Sequence, residues 1–231
     1  MIRSHSRRWL AALVAAALPV FANGEAAVLA PPPQFDAPKA AGALQTAVLA
    51  GGCFWGVEGV FEHVRGVRDV VSGYAGGTKP TANYDDVSDG NTKHAESVQI
   101  VFDPVELSYG EILRIFLSVA HDPTQLNRQG PDRGSQYRSD IFYANDEQRD
   151  IATRYIAQLD AAKVYSGKIV TRVDPLTQFY PAESYHQDYM DKHPSQPYIV
   201  YNDAPKIRNL EKTFPDVYQK KPVKSQTANV N

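Results

Sequence analysis

The sequence predicts an α+β domain, a mixed β-sheet with helices packed on it. Three observations carry that expectation. Segments with period-two apolar alternation interleave with segments whose apolar residues recur at helical spacing, from about residue 46 to residue 192. Paired glycines punctuate the strand-like segments, at Gly51-Gly52 and Gly76-Gly77. No internal repeat is present, which argues against a solenoid.

The elements follow in order. Thr46 to Ala50 is a short apolar run suited to a buried strand. Val57, Val60, Phe61 and Val64 then fall at i, i+3, i+4 and i+7, one face of a helix. Arg68 to Tyr74 reads as a strand, and Ala95 to Phe102 as another, with Val98, Ile100 and Phe102 on one side. Ser108-Tyr109-Gly110-Glu111 has the form of a capping box, and Ile112, Ile115, Phe116 and Val119 continue its helix. Tyr137 to Tyr143 is strand-like. Asp146 to Ala162 is helical, with Ile151, Tyr155, Ile156 and Leu159 inward. Lys168 to Val173 alternates as a strand, and Ala182 to Lys192 reads as a short aromatic-rich helix.

Composition narrows the function. With 24 Lys and Arg against 26 Asp and Glu, the net charge of -2 gives no support to a general nucleic-acid binder. The single cysteine, Cys53, excludes an internal disulfide, a cysteine-rich zinc site and a thiolate-held iron–sulfur cluster. No cofactor and no metal is expected. The histidines lack a His-Glu-x-x-His spacing. A calcium-loop pattern running from Asp85 to Glu96 fails at Val87, which has no side-chain oxygen.

The ends differ from the middle. Arg3, Arg7 and Arg8 precede an apolar run from Trp9 to Phe21, and small residues follow. That order is the pattern of a signal peptide over residues 1–22, so the chain is expected to be exported, to the periplasm, with the signal removed. A retained anchor is the weaker alternative, because the run is shorter than the roughly 20 residues that span a bilayer. Residues 23–45, with Pro31-Pro32-Pro33, read as a flexible or partly extended linker, 46–211 as the main folded domain, and 212–231 as a tail wrapped on the surface or disordered.

Gly51-Gly52-Cys53-Phe54-Trp55-Gly56 is the most informative stretch. Cys53 follows a strand and opens a helix, where free backbone N–H groups and the helix dipole favour an anion. That position predicts a lowered thiol pKa. Phe54 and Trp55 would be core residues or an aromatic wall beside the thiol. The bland alternative is a small buried cysteine between a glycine turn and a core tryptophan.

The same stretch resembles the signature of the A-type peptide methionine sulfoxide reductases. Further matches follow: Gly73-Tyr74-Ala75-Gly76-Gly77, Asn83-Tyr84-Asp85-Asp86-Val87, His94-Ala95-Glu96 and His121-Asp122-Pro123-Thr124-Gln125. Arg128 to Gly134, Ser135 to Ser139 and Phe179 to Gln187 complete the set, so the resemblance spans about Thr46 to Tyr198. It implies the family's two-layer sandwich and reduction of methionine S-sulfoxide, free or in proteins. By resemblance Cys53 is the nucleophile, Glu96 the general acid, and Tyr84 and Tyr137 the phenols on the sulfoxide oxygen. Phe54 and Trp55 would hold the S-methyl group, with Gly52, Asp132 and His186 in support. Glu96 shares its strand face with Val98 and Ile100, an inward position that is costly for a carboxylate without a role.

Many family members carry further cysteines in a C-terminal tail, and here there is none. The resemblance therefore implies that a thioredoxin-like protein or another thiol reduces Cys53 directly, in a chain acting as a monomer. Two rivals stand beside this reading. One is a cysteine hydrolase using His63, His94, His121, His186 or His193 as base. The other is a peptide-binding module.

Overall fold

In the computed structural model, residues 27–226 are described; the expected signal peptide lies outside them. Among the described residues there are eight strands: β1 (Gln45–Gly51), β2 (Val67–Ala75), β3 (Ala95–Phe102), β4 (Arg128–Gln129), β5 (Asp132–Arg133), β6 (Ser139–Tyr143), β7 (Arg172–Pro175) and β8 (Phe179–Pro181). The helices are α1 (Phe54–Glu62), α2 (Tyr84–Ser88), α3 (Tyr109–Ile115), α4 (Asp146–Ala161), α5 (Tyr189–Lys192) and α6 (Ala204–Thr213). None is long and apolar enough to cross a membrane.

Six strands form one sheet in the order β7-β6-β1-β3-β2-β8, and β4 and β5 form a separate hairpin. Only β6 and β7 run parallel, so the sheet is mixed and the class is the α+β class expected. Alternation sorts its two faces. Leu49, Val70, Val98, Ile100 and Ile141 point into a large core with Val57, Val60 and Phe61 of α1, Ile112 of α3 and Tyr155 of α4. Val48, Ala50, Val71, Ala95 and Phe142 form a smaller cluster on the opposite face with Phe179. The capping box at α3 is present: Ser108 Oγ accepts from the Glu111 amide at 3.1 Å, and the Glu111 carboxylate accepts from the Ser108 amide at 2.8 Å.

Three elements differ from expectation. The strand expected from Tyr137 starts at Ser139, because Tyr137 closes a 3-10 turn by donating its amide to Gly134 O. The strand expected over 168–173 pairs only from Arg172. The Ile169 amide goes instead to Asp160 of α4, and the Val170 amide to Pro123 O. The helix expected over 182–192 is broken. Gln187 turns inward to bond the backbone of Ser72 and Ala182, and Asp188 takes a left-handed conformation at φ 51°.

Both flanks pack on this frame. Tyr155 donates to Pro31 O, and the Ala30 amide donates to Ser118 Oγ, so the proline-rich stretch lies along α3 and α4. α6 runs through Lys212. Beyond it, the amides of Gln219 and Val223 donate to carbonyls at the end of α1, and the amide of Ser225 donates to Asp188.

Candidate active site

Strand register brings the expected residues together. Leu49 of β1 pairs with Val98 of β3, and Gly51 pairs with Ser139 of β6. The C-terminal end of β1 therefore lies beside the start of β3, which carries Glu96, and beside the start of β6, which follows Tyr137. Glu96 pairs in turn with Tyr74 of β2. Cys53 emerges at that junction as the N-cap of α1. Gly52 before it has φ 90°, and a Cβ there would sit 2.5 Å from Gln129 Cβ, so only glycine fits the turn.

A cavity of about 200 Å³ opens at the junction, lined by Cys53, Phe54, Trp55, Tyr84, Glu96, Asp132, Tyr137 and Tyr198. Seven of these eight are expected site residues. His186 stands behind the aromatic wall. The Trp55 indole donates to its Nδ1 at 3.2 Å, and its ring lies 5.0 Å from Phe54 and 4.5 Å from Tyr84. An indole only donates, so Nδ1 is the acceptor and the neutral ring carries its proton on Nε2. Phe54 is fully buried, while Trp55 is half-buried and stacked on Tyr189 at 3.8 Å. Together they form one aromatic wall of the cavity.

Glu96 is 2% exposed, on the helix-facing side of its strand, and accepts a hydrogen bond from the Phe54 amide at 3.0 Å. Burial outweighs that bond and pushes its carboxyl up to about 8. The group is therefore a neutral acid at pH 7, able to give a proton to an oxygen in the cavity. The phenols of Tyr84 and Tyr137 are also raised, burial first, so both are donors across the physiological range.

Cys53 corrects one expectation. Its thiol is not lowered by the helix start. Burial, then the carboxylates of Glu96 and Asp203, push it well above its ordinary value, and the Trp55 amide that works the other way is outweighed. Cys53 is 7% exposed, and it rests as a thiol in the cavity wall.

Several contacts lie outside the sequence expectation. Tyr198 donates its hydroxyl to the Asp132 carboxylate. Glu183 accepts from the Tyr84 amide at 3.0 Å and from the Tyr74 hydroxyl at 2.8 Å. Asp203 and Lys206 form a buried pair against Gly56, at 3.2 Å. Tyr198, Asp203 and Lys206 lie outside the matched motifs, while Glu183 and Tyr74 fall within them but carry no expected role there. Among the described residues, no group of three or more His, Cys, Asp or Glu is placed to hold a metal.

Residues 45–218 match the family described as peptide methionine sulfoxide reductase. The chain belongs to that family. A peptide methionine sulfoxide reductase MsrA 2 of Mesorhizobium japonicum is 57% identical over 185 residues, covering 80% of this chain and 95% of the relative. One of Synechocystis is 54% identical over 172 residues, covering 74% and 80%. Among solved structures, reduced Mxr1 of Saccharomyces cerevisiae superimposes with TM-score 0.61 at 33% identity, over 66% of this chain and 87% of that one. Methionine sulfoxide reductase A of Corynebacterium diphtheriae gives 0.57 at 34%, over 75% and 88%. The chain is an MsrA-type peptide methionine sulfoxide reductase, an oxidoreductase that returns methionine sulfoxide to methionine.

Proposed function

We propose that this reductase acts on the S epimer at sulfur, in proteins and as the free amino acid, with Cys53 as the atom that takes the oxygen. The observation that carries this is the convergence of a thiol, a neutral carboxyl and two phenols on one aromatic-walled cavity. The substrate's S-methyl group lies against Phe54 and Trp55, where sulfur–aromatic contact contributes about 0.3–1.5 kcal/mol. Its oxygen faces Tyr84, Tyr137 and Glu96, donors aimed at the charge that develops there. Glu96 protonates the oxygen while Cys53 Sγ bonds to the substrate, and the emptied carboxylate takes the thiol proton. The protonated oxygen passes to Sγ: the Sγ–O bond forms as the substrate S–O bond and the transient Sγ–substrate bond break, leaving a sulfenic acid on Cys53 and releasing methionine. Substrate sulfur is reduced, Cys53 is oxidised, and Glu96 finishes protonated.

Asp132, held by Tyr198, and His186, held by Trp55, keep the walls in place. No histidine lines the cavity, which counts against the hydrolase alternative. The sequence contains one cysteine, so the sulfenic acid is reduced by an outside thiol, thioredoxin-like or small, and no cofactor takes part. The arginines and apolar run of residues 3–21 support export to the periplasm.

Anaerobic titration with each epimer of methionine sulfoxide, followed by free thiol and intact mass, tests this reading. The S epimer is expected to consume the thiol and add one oxygen. A thiol that persists with the S epimer, or is lost equally to both epimers, overturns it.

A further inference from the structure

Cys53 borders a second hollow. Gln129, Gly130, Pro131, Asn202 and Lys206 line a pit of about 30 Å³ that shares Cys53, Asp132 and Tyr198 with the aromatic cavity. The hydrogen-bonded pair Tyr198–Asp132 and Cys53 belong to the walls of both hollows. A space this small admits one water or the leading atom of a side chain, not a thioether with its methyl. Lys206 in its wall is 8% exposed, and its ammonium lies 3.2 Å from Asp203 Oδ1. Asp203 is fully buried, and its Oδ2 has no hydrogen-bond partner. A buried ion pair is weak evidence for a stabilising role, since apolar replacements often serve as well. Asp132 also lines the pit, with its carboxylate bonded to Tyr198, and Lys206 is the one cation among the lining residues, so an anion arriving beside Cys53 depends on that ammonium.

We propose that the regenerating thiol reaches the oxidised Cys53 through this pit, with Lys206 as the positioning residue that favours its thiolate. The inference rests on Cys53 as the oxygen acceptor. The sulfenic oxygen then lies in the aromatic cavity beside Glu96, and a thiolate displaces it from another face of the sulfur. The incoming sulfur bonds to Sγ, the S–O bond breaks, and hydroxide leaves as water with the Glu96 proton. A second thiolate attacks the outer sulfur of the mixed disulfide. The two reductant thiols leave as a disulfide, oxidised by two electrons. Cys53 and Glu96 recover the two protons that the thiols shed. Most of a thiol with pKa of about 8.5 is protonated at neutral pH, so a nearby cation raises the reactive fraction.

The test separates the half-reactions in the full chain. One equivalent of sulfoxide forms the sulfenic acid anaerobically, and dithiothreitol then reduces it in a stopped flow. Lys206→Met is expected to slow that reduction about tenfold near neutral pH, with the deficit shrinking at alkaline pH where the thiol is already ionised. The sulfoxide step should stay within about twofold of the parent, and Lys206→Arg should restore most of the loss. Asn202→Trp, which fills the pit mouth, should slow the same half-reaction alone. If Lys206→Met does not fold, the Asp203→Asn/Lys206→Met pair carries the same comparison. Reduction at the parent rate in the lysine and tryptophan variants overturns the proposal, as does an equal fall in both half-reactions. A parent protein that forms no sulfenic acid defeats the underlying reading instead.

Discussion

At neutral pH the Cys53 thiol and the Glu96 carboxyl each keep a proton, because burial disfavours the charged form of both. The resting thiol should therefore react with iodoacetamide more slowly than free cysteine at pH 7, measured by loss of titratable thiol, and an equal or faster rate would refute the protonated resting state. Glu96 has a second signature. Its proton is lost as pH rises through about 8, so the sulfoxide step should decline over that range. Glu96→Gln should lower kcat/KM by about 10²–10⁴ and remove that limb of the profile. Cys53→Ser should abolish turnover while leaving the circular dichroism spectrum intact.

Elements explain what the sequence revealed and what it hid. β1, β2, β3 and α4 are set by local apolar periodicity, and each lies within a residue or two of its expected bounds; α1 forms as expected at Val57, Val60 and Phe61 but ends at Glu62, and Val64, expected on its face, bridges Tyr218 instead. Elements set by distant partners were not legible. The break at Gln187 depends on Ser72, and the short pairing of β7 depends on Asp160 and Pro123. The site followed the same division. Residues in matched motifs met in the cavity, whereas Tyr198 needed Asp132 across the chain to reveal it. The lowered Cys53 pKa failed because a helix start is a local cue, whereas burial, and after it the carboxylates from β3 and from the segment before α6, oppose it. The contact between α1 and that segment is tight at Gly56, where a Cβ would lie 2.1 Å from Asp203 Oδ1. Gly56→Ala should cost about 1–3 kcal/mol by overpacking, read as a lower melting temperature.

At the scale of the whole molecule, buried carboxyls shape the response to pH. Burial, then the charges of neighbouring carboxylates, raises Glu58 and Glu62 in the fold, and burial raises Glu96 to about 8 from the 4.5 of an ordinary glutamate. Between those values the unfolded chain binds fewer protons, so stability falls as pH rises. His121 works in the opposite sense. Burial drops it to about 3 from 6.5, and it removes stability as pH falls below 6.5. Above pH 6.5 the carboxyl effect is unopposed by this histidine, so the denaturant midpoint should fall steadily from pH 6.5 towards 9. A midpoint that rises over that interval would contradict the buried, protonated carboxyls.

The depth of Cys53 sets a limit on repair. Cys53 is nearly buried in the wall of a cavity of about 200 Å³ lined by aromatic rings, so a client's side chain has to leave its own surroundings and enter that cavity to meet it. An oxidised residue locked inside a client's interior is out of reach until that client breathes open. How fast damage is mended should then track the client's own local unfolding rather than any property of the enzyme.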